Sequence, residues 1–242
     1  MKRFLLTIFL AFFADAVWAQ TAADFSLTSA DGRKELGFLF GAFQPMAEFG
    51  ISNAGGQGEK FGSFGFAGAM DYFYALTPAV SAGLEGMYIS RGEYALNNLS
   101  AINETETLVR GDSVVALALL RVRNPVKKGL RPYGTFGLGL HRTTMDIFIQ
   151  APPGFAWVGN GPEYVVARGI TSGLAWALRG GVEHVFADGG VLGFELGWLG
   201  IPSQRYPLTG DGRAIGLRND VVSGGDGLTM AAKFAVRFGG GS

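Results

Sequence analysis

Between residues 64 and 76, large apolar side chains alternate with small or polar ones, position by position. Phe64, Phe66, Met70, Tyr72, Tyr74 and Leu76 share one parity; Ser63, Gly65, Ala67, Ala69 and Asp71 share the other, with Phe73 the exception. A repeat of two residues belongs to a strand whose two faces meet different surroundings. A soluble sandwich would bury the greasy face against a second sheet. A membrane barrel turns it toward lipid and keeps the small, polar face inside.

The same split recurs along the chain. Leu84 and Tyr88 oppose Ser81, Gly83 and Glu85, and Phe136, Leu138 and Leu140 oppose Thr135, Gly137, Gly139 and His141. Leu174, Trp176, Leu178 and Val182 oppose Ala175, Ala177, Arg179 and Glu183. Leu192, Phe194, Leu196 and Trp198 oppose Gly193, Glu195 and Gly197. Leu228, Met230, Phe234, Val236 and Phe238 oppose Thr229, Ala231, Lys233 and Arg237. Two segments, 35–46 and 108–123, are less regular. Leu39 and Phe43 fall on the face expected to be small, and Leu117 and Leu119 share a face with Arg121.

Composition favours the membrane. The chain carries 39 Gly and 20 Phe but only 17% charged residues, against about 25% charged and about 7% Gly in ordinary globular chains. Beyond the N-terminus no run of about 20 apolar residues occurs, so no helical span is expected. A chain that is apolar overall yet never continuously apolar suits a membrane barrel.

The connections point the same way. Those near 77–78, 124–128 and 187–190 are short. Those near 47–60, 95–107, 148–170 and 202–222 are long and rich in Gly, Asn, Pro and Asp. Long and short alternate strictly, as do the external loops and periplasmic turns of outer-membrane barrels. Four long loops and three short turns require eight strands. The expected fold is therefore all-β: a closed antiparallel transmembrane β-barrel of about eight strands in up-and-down meander order. Its N-terminus lies in the periplasm.

The first residues read as an address. Lys2 and Arg3 precede an apolar run from residue 4 to 13, and Val17-Trp18-Ala19 supplies a small residue at the cut site before Gln20. That is the layout of a cleaved signal peptide, too short to span a membrane. The expected division is 1–19 signal peptide, 20–34 periplasmic lead-in, 35–238 outer-membrane barrel and 239–242 Gly-rich tail. With no Cys in the chain, neither a disulfide framework nor a thiolate metal site can form. A formal charge of zero gives no basic footprint for nucleic acid.

Residues 65–91 (GFAGAMDYFYALTPAVSAGLEGMYISR), 131–140 (RPYGTFGLGL) and 180–183 (GGVE) resemble hairpins of the small outer-membrane barrel superfamily. That group includes barrels like outer membrane proteins A, X and W and the opacity proteins. The resemblance covers nearly the whole mature chain, and its aromatic, Gly-rich, alternating motifs speak to architecture. It implies residence in the outer membrane of a Gram-negative bacterium, with outer-membrane lipid as surroundings. It also implies recognition of the C-terminal strand by the barrel-assembly machinery. Phe234, Val236 and Phe238 fit that last pattern, although Gly239-Gly240-Gly241-Ser242 follows.

Several residues carry chemistry. Asp71, Glu85, Glu183 and Glu195 fall on the inward parity with Arg179, Lys233 and Arg237, joined by Arg121. An Arg or Lys on the lipid face at mid-depth costs roughly 2–4 kcal/mol, so these charges are expected to meet in the lumen and plug it. His141 projects inward with Thr143 on its face, and His184 sits outward beside a turn. Two distant His without Cys make no metal site. One group of lipid A acyl-chain enzymes among small barrels pairs a His with a Ser two positions later. Here those positions hold Thr143 and Phe186. Tyr72, Tyr74, Trp176, Trp198, Phe186 and Phe238 lie near strand ends, where aromatics form interfacial girdles.

Phe155 and Trp157, beside Pro152, Pro153 and Gly154, form an apolar tip in a long loop and are expected either to fold on the rim or to contact a partner. The leading expectation is a non-enzymatic barrel with a structural, adhesion or surface-binding role, its loops meeting an extracellular ligand or host cell surface without a cofactor. A narrow channel for small or hydrophobic solutes is the alternative, and a lipid-modifying barrel enzyme the second.

Overall fold

The computed structural model describes residues 33–46, 48–51, 59–60, 64–97, 106–125, 129–150, 163–214 and 220–239. Residues 1–19, expected to be a signal peptide, and most of the expected lead-in 20–34 lie outside them. Eight strands close into an antiparallel barrel. They are β1 (Lys34–Pro45), β4 (Gly65–Ala75), β5 (Val80–Asn97), β6 (Glu106–Arg123), β7 (Gly129–Gln150), β8 (Glu163–Val185), β9 (Gly190–Gly200) and β12 (Gly227–Phe238). Each pairs with the next, and β12 returns to β1 from Lys34↔Phe238 to Pro45↔Gly227. Closure leaves no edge with unpaired amides, the condition for sheet in lipid.

Three tight connections share one end with the barrel's two termini. In the β4–β5 turn, the Thr77 hydroxyl oxygen accepts from the amides of Ala79 and Val80 at 3.3 and 2.9 Å. In the β8–β9 turn, Gly189 adopts a left-handed φ of 89° that a side chain would resist, and Asp188 accepts from the Gly190 amide at 3.1 Å.

The alternation along the strands becomes an inside and an outside. Phe66, Met70, Tyr72, Tyr74, Leu84, Leu138, Leu174 and Leu196 are all exposed on the outer wall, while Ala67, Asp71, Glu85, Thr135 and Ala175 are buried within. Phe73 is inward and buried, so it obeys the alternation as a large residue on the small face. Leu39, Phe43, Leu117 and Leu119 are likewise inward and buried. The lumen is thus not uniformly small and polar. Its large residues meet glycine on the neighbouring strand: Phe73 opposite Gly83, Leu119 opposite Gly137 and Leu117 opposite Gly139. A barrel of eight strands has just enough interior for such pairs to fill it.

Parts of two segments read from the sequence as long loops are instead wall. β2 (Glu48–Ile51), β3 (Glu59–Lys60), β10 (Gln204–Tyr206) and β11 (Val221–Ser223) form a sheet ordered β10-β11-β2-β3. This repeats the neighbour order of β9, β12, β1 and β4 below it. Pro45↔Gly227 is followed by Phe49↔Ser223 and Ile51↔Val221 with the register unchanged. The barrel therefore continues upward past a kink at Gly224, Gly225 and Asp226. There the Asp226 carbonyl accepts from the Met46 amide at 2.8 Å, and its carboxylate accepts from the Ile201 amide at 2.9 Å. Beyond β10 the chain runs along β8, with Leu208 bridged to Ala167, then turns through the short helix α1 (Gly210–Ala214). On the other side β7 and β8 reach 22 and 23 residues, about twice what crosses a bilayer. A collar of sheet therefore stands above the membrane.

Leu138 lies on the lipid face, 54% exposed; Thr144 is outward on the same strand, six residues higher and also exposed. Leu138→Arg should lower folding stability in lipid vesicles by roughly 2–4 kcal/mol, the mid-depth penalty, whereas Thr144→Arg should have little effect. Urea midpoints of the two variants give the comparison. Equal losses would place the membrane boundary wrongly.

Candidate functional site in the barrel lumen

The inward residues of β7 record what fills the barrel from bottom to top. Arg131, Tyr133 and Thr135 lie in an ionic layer, Gly137 and Gly139 in an apolar one, His141 and Thr143 in a polar one. Met145 and Ile147 belong to a second apolar layer.

The ionic layer gathers five carboxylates and six cations, all buried or nearly so. Glu35 is its hub. One oxygen accepts from Arg121 at 2.8 Å and Lys233 at 2.5 Å; the other accepts from Arg237 at 2.9 Å and Arg123 at 3.3 Å. Glu183 accepts from Arg131, Arg237 and Lys233 at 2.5, 3.0 and 3.2 Å. Asp71 and Glu85 stand directly opposite each other on β4 and β5, a repulsive pairing unless each finds its own cation. Arg121 bonds Asp71 at 3.1 Å, and Arg179 grips both oxygens of Glu85 at 2.5 Å. Glu195 accepts from the Tyr133 hydroxyl at 3.1 Å and from Arg179 at 3.4 Å. The Arg121 guanidinium lies 3.6 Å from the Phe73 ring centroid and 4.9 Å from that of Tyr133. Stacking of a cation on aromatic faces adds attraction where water is excluded.

All seven charged residues singled out from the sequence, Asp71, Glu85, Arg179, Glu183, Glu195, Lys233 and Arg237, lie in this layer, together with Arg121. Sequence reasoning missed Glu35, Arg123, Arg131 and Tyr133. Glu35 shares the parity of Leu39 and Phe43, which was the available signal, but as the second residue of β1 it reads as a strand edge. Phe155 and Trp157 lie outside the described residues.

Above this sits an apolar layer that includes Phe43, Ile89, Val115, Leu117, Leu199 and Ile201. A buried chain of polar groups follows. Arg91 donates to the Gly224 carbonyl at 3.1 Å and to the Ser113 hydroxyl at 3.2 Å. Ser113 and Thr143 hydroxyls are 2.9 Å apart, and Thr143 is 3.1 Å from His141 Nδ1. Ser113 reaches Thr143 because the two face each other across β6 and β7, a proximity no local spacing reveals. These hydroxyls and the imidazole are at most 3% exposed. His184 is outward, its ring edge-on to Phe186 with centroids 4.7 Å apart. Among the described residues no cluster of His, Asp or Glu has the grouping of a metal site.

No protein-family model matches the chain, and no curated protein matches it. Solved structures do. The outer membrane protein OprG of Pseudomonas aeruginosa is 12% identical, with a TM-score of 0.53 over 88% of this chain and 98% of its own. The fold is that of the small outer-membrane barrels. Neisserial surface protein A is 12% identical with a TM-score of 0.43, covering 86% of this chain and 97% of that one. Ail, the attachment invasion locus protein of Yersinia pestis, is 14% identical with a TM-score of 0.39, covering 86% and 99%. At these identities the likeness is one of fold. Closed sheet, apolar exterior and short turns at one end together make this an outer-membrane β-barrel.

Removing one member of a buried ion cluster strands its partners. Glu35→Gln deprives four cations of a shared carboxylate and should lower the stability of the folded barrel by about 3–5 kcal/mol. Glu195→Gln should cost clearly less, because Arg179 keeps its two bonds to Glu85. Urea midpoints in lipid vesicles rank the two variants, and the reverse ranking would remove Glu35 from the centre of the network.

Proposed function

We propose that this barrel works at its external face, in surface binding or adhesion, and that its lumen is a structural plug. The observation that carries this reading is the filling of the lumen by four successive layers, ionic, apolar, polar and apolar. A solute would have to displace the Glu35 and Glu183 clusters and then Phe43, Leu117 and Ile201. Each unpaired charge left behind in so dry a place would be costly. Narrow conduction is the weaker reading for that reason.

The external collar supports the positive half of the proposal. It carries the upper ends of β5 to β8 beyond lipid, where connecting backbone can be satisfied by water and is free to carry recognition. The segment holding Phe155 and Trp157 joins β7 to β8, the two tallest strands. An extracellular ligand or host surface is the partner we assign to these loops. The burial of the hydroxyl–imidazole chain supports a non-enzymatic role. On the periplasmic side, Phe238 at the end of β12 is exposed and is the residue we assign to recognition by the assembly machinery.

Purified protein in planar bilayers should give no stable single-channel steps; steady conductance steps would establish the channel reading instead. Deleting residues 152–160 should leave a barrel that still migrates differently before and after heating, because closure lies below this loop. The same deletion should abolish adhesion of expressing cells to their target surface. Undiminished adhesion would move the binding role away from this loop.

A further inference from the structure

The lipid-facing wall ends, on β7, at an arginine that the barrel does not neutralise. The outward parity of this strand runs through Leu130, Pro132, Gly134, Phe136, Leu138 and Leu140 without a charge, matching the roughly 9–11 residues that cross a bilayer. The next outward residue is Arg142, which is exposed. The neighbouring strands change character at this level. Val114 of β6 and Ser172 of β8 stand directly opposite Arg142, with Asp112 following above Val114 and Leu174 lying below Ser172. Among the described residues the Arg142 side chain makes no hydrogen bond or ion pair. Two carboxylates on the same outer face are engaged by other groups. Asp112 accepts from the Tyr88 hydroxyl, and Asp146 accepts from Arg168 at 2.7 and 3.2 Å. What flanks Arg142 instead are the exposed hydroxyls of Ser172, opposite it, and Thr144, above it. Beneath lies an apolar shelf, Leu140 paired with Leu174, 62% and 65% exposed.

We propose that Arg142, with Ser172 and Thr144, binds the phosphoryl headgroup of an outer-leaflet lipid whose acyl chains run down over Leu140 and Leu174. Position, charge and the apolar shelf each restrict the occupant. At the upper limit of the apolar band a side chain meets headgroups. A guanidinium fork matches two oxygens of a phosphoryl group, and its weak hydration makes the exchange of water for phosphate easy. Hydroxyls can donate to the oxygens that remain. A soluble anion would leave the two leucines uncovered. A lipid without phosphate would leave the guanidinium to water alone. A lipid that joins phosphate to acyl chains meets both groups at once.

The test uses the full mature protein in maltoside micelles, which bring no phosphate of their own. Diphosphorylated lipid A is titrated in, and its retention is read by native mass spectrometry. Wild type should retain one lipid saturably. Arg142→Gln should raise the half-saturating concentration about tenfold, the loss of one charge-assisted pair. A similar rise should appear when wild type is given lipid A stripped of both phosphates. Lys34→Gln, which removes an exposed cation at the opposite rim, should bind as wild type does. Both variants replace exposed side chains, and migration that still changes on heating verifies that each barrel is closed. No saturable retention, equal affinity of wild type and Arg142→Gln, equal affinity for the two forms of the lipid, or an equal loss with Lys34→Gln overturns the proposal.

Discussion

Eight strands enclose a fixed and narrow volume, and every inward side chain must share it with seven other walls. Size on one strand is therefore matched by smallness on the next. Phe73 lies against Gly83, Leu119 against Gly137, and Arg179 against Gly197. The abundance of glycine is in this sense a packing requirement. The same confinement governs charge. Water cannot solvate ions in a filled lumen, so each carboxylate must find cations within the wall opposite or beside it. Glu35 satisfies four at once, which ties β1 to β6 and β12 through side chains alone.

A filled lumen leaves the two ends as the places where the barrel can meet anything. The upper end is enlarged by strands that outrun the membrane and by a second tier of sheet that keeps the register of the first. Asp226 makes this continuity feasible. At the kink its backbone and side chain supply the acceptors that regular pairing would have provided. The lower end is compact, with three short turns and a ring of cations.

Much of the architecture could be read from the chain because a barrel wall is periodic. Alternation and the rhythm of long and short connections reveal eight strands and most inward charges, since lipid penalises any other placement. The remainder depends on relations between strands. Leu39, Phe43, Leu117 and Leu119 break a rule of small interiors only until their glycine neighbours are known. Arg123 and Arg131 flank a turn and look like surface charges, yet they point into the lumen beneath it. Ser113 approaches Thr143 through strand pairing across thirty residues of chain. The strands within 47–60 and 202–222 escape notice because β3, β10 and β11 are two or three residues long. Their order comes from the strands below them.

An apolar plug would close the barrel with less desolvation than an ionic one, because replacing a buried ion cluster by hydrophobic packing is often neutral or stabilising. The ionic layer has a different merit. A slip of one residue in strand pairing exchanges the two faces of a strand. With purely apolar interiors such a slip would cost little in lipid, since both faces would be compatible with it. With Arg121, Arg179 and Lys233 inside, a slipped strand exposes cations to the hydrocarbon, at a cost of roughly 2–4 kcal/mol each at mid-depth that falls toward the interface. It also abandons carboxylates such as Glu35 and Glu85 in the lumen without partners. The upper apolar layers can afford lipophilic residues on the inner face because the strands beneath them are already locked in register. The charges near the periplasmic end thus specify which way each strand faces, and the layers above them complete the seal.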